Sequence, residues 1–215
     1  MVEGLSSQSQ KPLNRATRSG VSAVGVLCGL AGVEHGVGEI LQGNVATSGF
    51  VIDAWQPSSP LFGEEPAVTV VPNFLATGVL AIIVSLMVLV WAVAFVQRKN
   101  GGIVLIFLST MQFFVGGGIA PLFPAVAASV AAIKINAPLT WWRVHLPVST
   151  KRILATLWLC SLIAFSFLFS SLLLSRLIYG QNVELAANLG LLTLGLIFVT
   201  FFAGLAYDSQ RRKAE

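Results

Sequence analysis

The sequence predicts an all-α, polytopic integral membrane protein, a helical bundle of six membrane segments with both termini in the cytoplasm. The 215 residues are 55% hydrophobic and only 10% charged, whereas a soluble domain carries about 25% charged residues. The apolar residues form runs long enough to cross a bilayer. Lys and Arg fall almost entirely between these runs, as topology signals do. We therefore expect a multi-pass protein of the cell (plasma) membrane, with the lipid bilayer as its surroundings.

The first predicted segment covers about residues 18–42. It follows a tail rich in Ser and Gln, residues 1–17, which we expect to be disordered and cytoplasmic. A cleaved signal peptide is the alternative, because basic residues precede the apolar run. The run continues into Glu34 and His35, however, before any convincing small-residue cleavage site. These features favour a retained helix.

Residues 70–96, 153–175 and 186–206 are each apolar over the length that a bilayer requires. Residues 102–133 are too long for one span, and Gly116–Gly118, Pro121 and Pro124 interrupt them. Such clusters end helices, so we predict a hairpin of two short segments, 102–117 and 119–133, which either cross fully or re-enter. With two arms, every basic residue except Arg176 lies on the cytoplasmic side.

The predicted topology also assigns the loops. Residues 43–68, which contain acidic residues but no Lys or Arg, form an extracytoplasmic loop. Residues 134–152 contain paired tryptophans among basic residues and are predicted to be a cytoplasmic interfacial loop. Residues 207–215 form a basic cytoplasmic tail. Charge spread between apolar runs, instead of on one folded face, argues against nucleic-acid binding.

The first segment carries an unusual polar cluster in its outer half. His35, Glu39 and Gln42 follow the spacing i, i+4, i+7 and share one helical face, while Glu34 points about 100° away from His35. A charged residue near the centre of a membrane helix costs about 2.5–3.5 kcal/mol. These side chains should therefore face protein or water instead of lipid.

Gly25, Gly29, Gly32 and Gly36 form a stripe beside this polar face. Small residues at this spacing allow close helix packing in membranes. The stripe is expected to pack against the protein's own helices, or against a second copy or another membrane partner.

Polar groups elsewhere are predicted at a similar depth. Asn73 near the start of the second span and Gln112 in the first hairpin arm could join the cluster. In contrast, Phe165, Phe167 and Phe169 are interpreted as lipid-facing or interfacial residues. The predicted intramembrane polar site comprises Glu34, His35, Glu39, Gln42, Asn73 and Gln112.

These residues favour a transporter- or channel-like protein with a polar site that opens outward, because protonatable residues in membranes often mark ion routes. One alternative is an accessory or assembly subunit in which they are structural. A second is an intramembrane metal-binding protein with His35 and Glu39 as ligands, although two ligands do not make a site. Enzyme motifs such as GxSxG and Walker sequences are absent, so we favour a protein that is not an enzyme and predict no cofactor.

Overall fold

The computed structural model describes residues 14–56, 59, 62, 65–179 and 182–211. Its elements in chain order are α1 (Arg15–Leu41), β1 (Val51–Asp53), β2 (Pro66–Val68), α2 (Phe74–Val90), α3 (Gly101–Phe114), α4 (Leu122–Ala132), α5 (Thr140–His145), α6 (Val148–Leu173), α7 (Ser175–Tyr179) and α8 (Val183–Arg211). A π-helical turn, Trp91–Phe95, extends α2.

Within the described ranges, four helices are long and apolar enough to cross a membrane: Arg15–Leu41, Phe74–Phe95, Val148–Leu173 and Glu184–Gln210. The prediction of a helical membrane protein is confirmed at this level. α3 and α4 have 14 and 11 residues, or about 21 and 17 Å at 1.5 Å per residue. Both are shorter than the hydrocarbon core of about 30 Å.

Several helix boundaries differ from those expected. α1 begins at Arg15, and the preceding Asn14 is buried, with its side chain donating to the carbonyl oxygen of Ala137 at 2.9 Å. Residues 14–17 are therefore ordered, while residues 1–13 lie outside the described part of the chain. α8 continues to Arg211, so residues 207–211 of the expected tail are helical. Local propensity does not reveal either extension, because tertiary contacts stabilise both ends.

Two spans also start at other residues than predicted. α2 begins at Phe74 instead of residue 70, because the side chain of Asn73 caps it by accepting a hydrogen bond from the amide of Ala76. α6 begins at Val148, five residues early, directly after Pro147, which occupies the N-cap position. The short helix α5 lies within the expected interfacial loop, residues 134–152.

A small β element was not expected from an all-α sequence. β1 and β2 pair antiparallel, with Ile52 opposite Ala67. The turn between α3 and α4 joins this hairpin, because the amide of Gly116 donates to the carbonyl oxygen of Val68 at 2.9 Å. This pairing places the described residues 42–56, 65–73 and 115–121 at one end of the bundle, which we call the loop end. The opposite end, where α1 begins and α8 ends, is the termini end.

The glycine stripe of α1 packs against α2 of the same chain. A Cβ atom at Gly25 would lie 2.5 Å from the Cβ of Ala92, and one at Gly36 would lie 2.7 Å from the carbonyl oxygen of Gly78. The stripe therefore allows α1 to pack closely against α2, the second helix of the same chain.

Asp208 joins the two ends of the chain at the termini end. Its buried carboxylate accepts hydrogen bonds from the amides of Ala16 and Thr17, at 3.0 and 2.8 Å, and from the Thr17 hydroxyl at 2.8 Å. The first amides of a helix need such acceptors, and the side chain of Asn14 does not provide one. α8 therefore caps α1 and is anchored to it at this end.

Candidate functional site

The centre of the candidate site is His35, which is 3% exposed. Its Nδ1 lies 3.0 Å from the carbonyl oxygen of Ala31 and 2.9 Å from Oε2 of Glu34. Its Nε2 lies 3.5 Å from Oε2 of Glu65. The carboxylate side chains of Glu34 and Glu65 are each only 14% exposed. One imidazole therefore lies between two largely buried carboxylates.

The β hairpin brings Glu65 to α1. Glu65 directly precedes β2, and its carbonyl oxygen accepts a hydrogen bond from the amide of Ala54 at 2.9 Å. On the opposite strand side, the indole Nε1 of Trp55 donates to Oε1 of Glu34. The same indole stacks on Phe62, with ring centroids 4.2 Å apart. Helical periodicity placed Glu34 on a different face of α1 from His35. In the structure, the loop residue Trp55 fixes the position of the Glu34 side chain.

Glu39 lies beneath the turn between α3 and α4. It is fully buried, and a Cβ atom at Gly116 would lie 2.2 Å from its Oε1. At Gly118 a Cβ atom would lie 2.6 Å from Nε2 of His35. Both glycines have positive φ, 95° and 86°, which L side chains rarely adopt. The turn can therefore lie directly on the polar cluster only because it is built of glycine.

Among the residues that the structure describes, neither carboxylate oxygen of Glu39 accepts a hydrogen bond of good geometry, and the Thr77 hydroxyl is the side-chain donor close enough to interact with it. A buried polar group without a partner costs about 1–3 kcal/mol, and more when it is charged. Such a group normally has an explanation in an ion, water or proton that it binds. Glu39 is the buried carboxylate in this bundle that most clearly calls for such a bound ion, water or proton.

The other predicted site residues lie around this cluster. Gln112 is adjacent, since its Nε2 donates to the carbonyl oxygen of Cys28 at 2.9 Å and lies 3.5 Å from that of Gly117. Gln42 instead holds β1, by donating to the carbonyl oxygens of Asp53 and Ala54.

Asn73 does not lie in the cluster. It caps α2, and its Nδ2 donates to Oδ1 of Asn44 at 2.8 Å. Both bonds are exposed and within the loop end. Of the six predicted residues, the structure thus brings Glu34, His35 and Glu39 together with Gln112 beside them, while Gln42 and Asn73 order the loop.

The cluster carries more acidic than basic groups. No Lys or Arg within the described ranges forms an ion pair with Glu34, Glu39 or Glu65. The pKa of Glu65 is raised to about 8, chiefly by burial; His35 acts to lower this pKa, and the neighbouring Glu34 carboxylate acts to raise it. Ligand atoms of Glu34, His35 and Glu65 all lie within 4.8 Å of one another, a spacing that one metal ion can bridge. The site is therefore chemically suited to a cation.

His35 and Glu65 also form the polar end of a cavity of about 430 Å³ between α4, α6 and α8. Its walls are otherwise almost entirely apolar. They include Phe123, Pro124, Phe165, Phe169, Leu172, Leu173 and Leu194. Phe123 is 58% exposed and Leu194 38% exposed, so the cavity opens on the outer surface of the bundle between α4 and α8.

The prediction that Phe165 and Phe169 face lipid is wrong. They are 1% and 6% exposed, stack on each other, and line the cavity. Phe167 lies on the opposite face of α6 and is 72% exposed. The spacing of four residues between Phe165 and Phe169 is the signal that could have separated them from Phe167, because residues i and i+4 share a helical face.

The cluster is closed toward the termini end. Between His35 and that end, α1 packs through Val21, Val24 and Cys28 in a buried apolar cluster. α2, α3 and α4 contribute Val88, Ala92, Leu105 and Ala128 to the same cluster. The polar groups therefore have access from the loop end or from the cavity, and an apolar layer separates them from the other end.

Comparisons of this chain with protein-family models, with curated proteins and with solved structures find no match.

We predict that Gly116→Ala destabilises the protein more than Gly43→Ala does. Both glycines have similar positive φ angles, 95° and 89°, so both substitutions carry a backbone strain of about 1–2 kcal/mol. Only the new Cβ at residue 116 meets a neighbour, the Glu39 carboxylate, since Gly43 has open space. Thermal melting in detergent measures the difference. Equal losses in the two variants would show that the turn does not lie on Glu39.

The raised pKa of Glu65 predicts a pH dependence of stability. Because the pKa of Glu65 is about 8 in the folded state and its ordinary value is 4.5, the folded state binds this proton more tightly than the unfolded state does. The free energy of unfolding therefore falls as the pH rises through this range. Glu65→Gln, which cannot ionise, should flatten the decline in melting temperature. Asp53→Asn, at an exposed carboxylate of the same loop, should leave the decline unchanged, and an unaltered decline in Glu65→Gln would contradict the prediction.

Proposed function

We propose that the protein is a transporter-like membrane protein of six segments that accepts a cation from the outer side of the plasma membrane. In this topology both termini are cytoplasmic, and α3 and α4 form a hairpin that enters from the cytoplasmic side. The distribution of Lys and Arg supports it. The pairing between Gly116 and Val68 is consistent with it, because it joins the hairpin turn to the loop assigned to the outside.

The observation that carries the proposal is the uncompensated acidic cluster around His35. Glu34, Glu39 and Glu65 are at most 14% exposed, and His35 is the one basic partner that the described ranges supply. Buried charges of one sign are costly unless a cation or proton neutralises them. A cluster that only stabilised the fold would be expected to contain its own counter-ions. The uncompensated negative charge therefore favours a site that binds a cation from the surroundings.

The apolar layer below the cluster favours a transporter-like protein over an open channel. Packing through Val24, Cys28 and Leu105 places buried apolar side chains between the cluster and the termini end, which this topology assigns to the cytoplasm. A cation bound at His35 would reach the other side only after a rearrangement of the helices, as in alternating access. α6 and α8 are suited to move, because the cavity separates them from α4 at the loop end while Asp208 anchors α8 at the other end.

Reconstituted vesicles test this function. Under an imposed membrane potential, wild-type protein should pass protons, reported by a trapped pH dye, faster than protein-free vesicles do. The double variant His35→Ala/Glu39→Gln should fall to the protein-free rate, because it removes the imidazole and one buried carboxylate. Asp53→Asn should retain the wild-type rate. Equal flux in wild type and the double variant would remove the proton route, and an accessory subunit would then be the better account.

Metal binding is the second candidate, and the 4.8 Å group of Glu34, His35 and Glu65 favours it. The hydrogen bond from Nδ1 to Ala31 would leave Nε2 free as a ligand. A nitrogen and two carboxylates suit a divalent transition metal with one open position. Elemental analysis of the preparations used for flux distinguishes this candidate: stoichiometric metal that is lost in Glu65→Gln would support it, and metal-free protein with full flux would exclude it.

A further inference from the structure

The cavity beside the acidic cluster has a composition that a small inorganic ion does not need. One end carries His35 and Glu65, and the remaining lining is apolar or aromatic apart from the Thr193 hydroxyl. That hydroxyl already donates to the carbonyl oxygen of Leu189 at 2.7 Å. A hydrated ion would gain nothing from these walls. A ligand with a large apolar body would bury its surface against them.

The polar end selects the charge of such a ligand. Glu65 lies at the cavity and Glu34 lies behind His35, while no Lys or Arg lines the cavity in the part of the chain that the structure describes. An anionic group would meet like charge in a low dielectric, whereas a positive group would relieve the excess of carboxylates. Phe165 and Phe169 add aromatic rings, which attract cations.

The position of the opening indicates how such a ligand would enter. The rim residues Phe123 and Leu194 are exposed on the surface that α4 and α8 present around the bundle. A second apolar groove of about 800 Å³ shares these two residues and continues along α4 and α8. A membrane-soluble ligand can therefore reach His35 and Glu65 sideways from lipid without passing through the loops.

From these observations we propose that the cavity between α4, α6 and α8 binds a lipophilic organic cation, with its apolar body among the phenylalanines and its positive charge at Glu65 and His35. This inference rests on the proposed outward-opening site and names the class of its substrate. The expected ligand carries a positive charge. Neutral and anionic lipophilic molecules are the competing outcomes of the test.

Tetraphenylphosphonium and tetraphenylborate are suitable probes, because they have nearly the same size and shape and opposite charges. With purified wild-type protein in nanodiscs, we expect saturable binding of tetraphenylphosphonium. Tetraphenylborate should neither bind saturably nor displace it. This comparison needs no variant. Equal binding of the two ions, or saturable binding of the borate alone, would overturn the proposal.

Two matched pairs of variants locate the site. Glu65→Gln should weaken binding of tetraphenylphosphonium by at least about tenfold, while Asp53→Asn, in the same loop but exposed, should not change it. Phe169→Ala should weaken it by about fivefold or more, while Phe167→Ala, two residues away on the exposed face of α6, should not. Variants with wild-type melting temperatures are compared. Unchanged affinity in both Glu65→Gln and Phe169→Ala would place the probe elsewhere and contradict the proposal.

The binding assay and the flux assay fail independently. Proton flux that depends on His35 and Glu39, without binding of tetraphenylphosphonium, would retain the proposed function and reject this ligand class. Binding that depends on Glu65 and Phe169, without proton flux, would retain the ligand class and reject the proton route.

Discussion

The organisation of the loop end depends on a single electrostatic constraint. Three carboxylates, Glu34, Glu39 and Glu65, share one imidazole in surroundings where water covers at most 14% of any of their side chains. In such a dielectric the repulsion between like charges is several times stronger than in water. Trp55 donates a hydrogen bond to Glu34, and the Ala31 carbonyl oxygen accepts one from His35, but the described neighbours supply no fixed positive charge. This excess of carboxylates therefore favours the binding of a proton or another cation at the cluster.

The rest of the loop end follows from burying this cluster. The α3–α4 turn lies over it, and only glycine at residues 116 and 118 leaves room for Glu39 and His35. The β hairpin delivers Glu65 and Trp55 to its sides, and Gln42 ties that hairpin to α1. α1 itself is held close to α2 by its glycine stripe and capped by Asp208 from α8. Together these contacts fix the backbone segments that carry the site residues.

Much of this arrangement is predictable from local properties of the sequence. Apolar runs predict the four long helices, since hydropathy depends on composition alone. The free-energy cost of burying charge in lipid predicted that Glu34, His35 and Glu39 face protein, and all three side chains are at most 14% exposed. The Gly116–Gly118 cluster predicted the break between α3 and α4. Periodicity also showed that the stripe from Gly25 to Gly36 packs closely.

What the sequence could not predict depends on contacts between distant residues. Glu65 joins His35 only because β1 and β2 pair, and strands of three residues carry no detectable alternation. Asn73 and Gln42 were predicted to belong to the site from their expected depth in the membrane. Depth alone does not determine whether a side chain caps a helix, as Asn73 does, or binds a loop, as Gln42 does. Phe165 and Phe169 look like lipid-facing residues by composition. They are buried because they belong to one apolar cluster with residues of α4 and α8, and they also line the cavity between these helices.

We expect the buried acidic cluster to retain a proton near neutral pH when no other cation fills it. Infrared spectroscopy of the metal-free protein in lipid tests this directly, through the carbonyl stretch of protonated carboxylic acids. Since the pKa of Glu65 is raised to about 8, we predict such a band in the wild type near pH 7 and its loss as the pH rises above about 8. In Glu65→Gln the band near pH 7 should be lost or reduced. A wild-type spectrum without a protonated carboxylic acid near pH 7 would contradict the account.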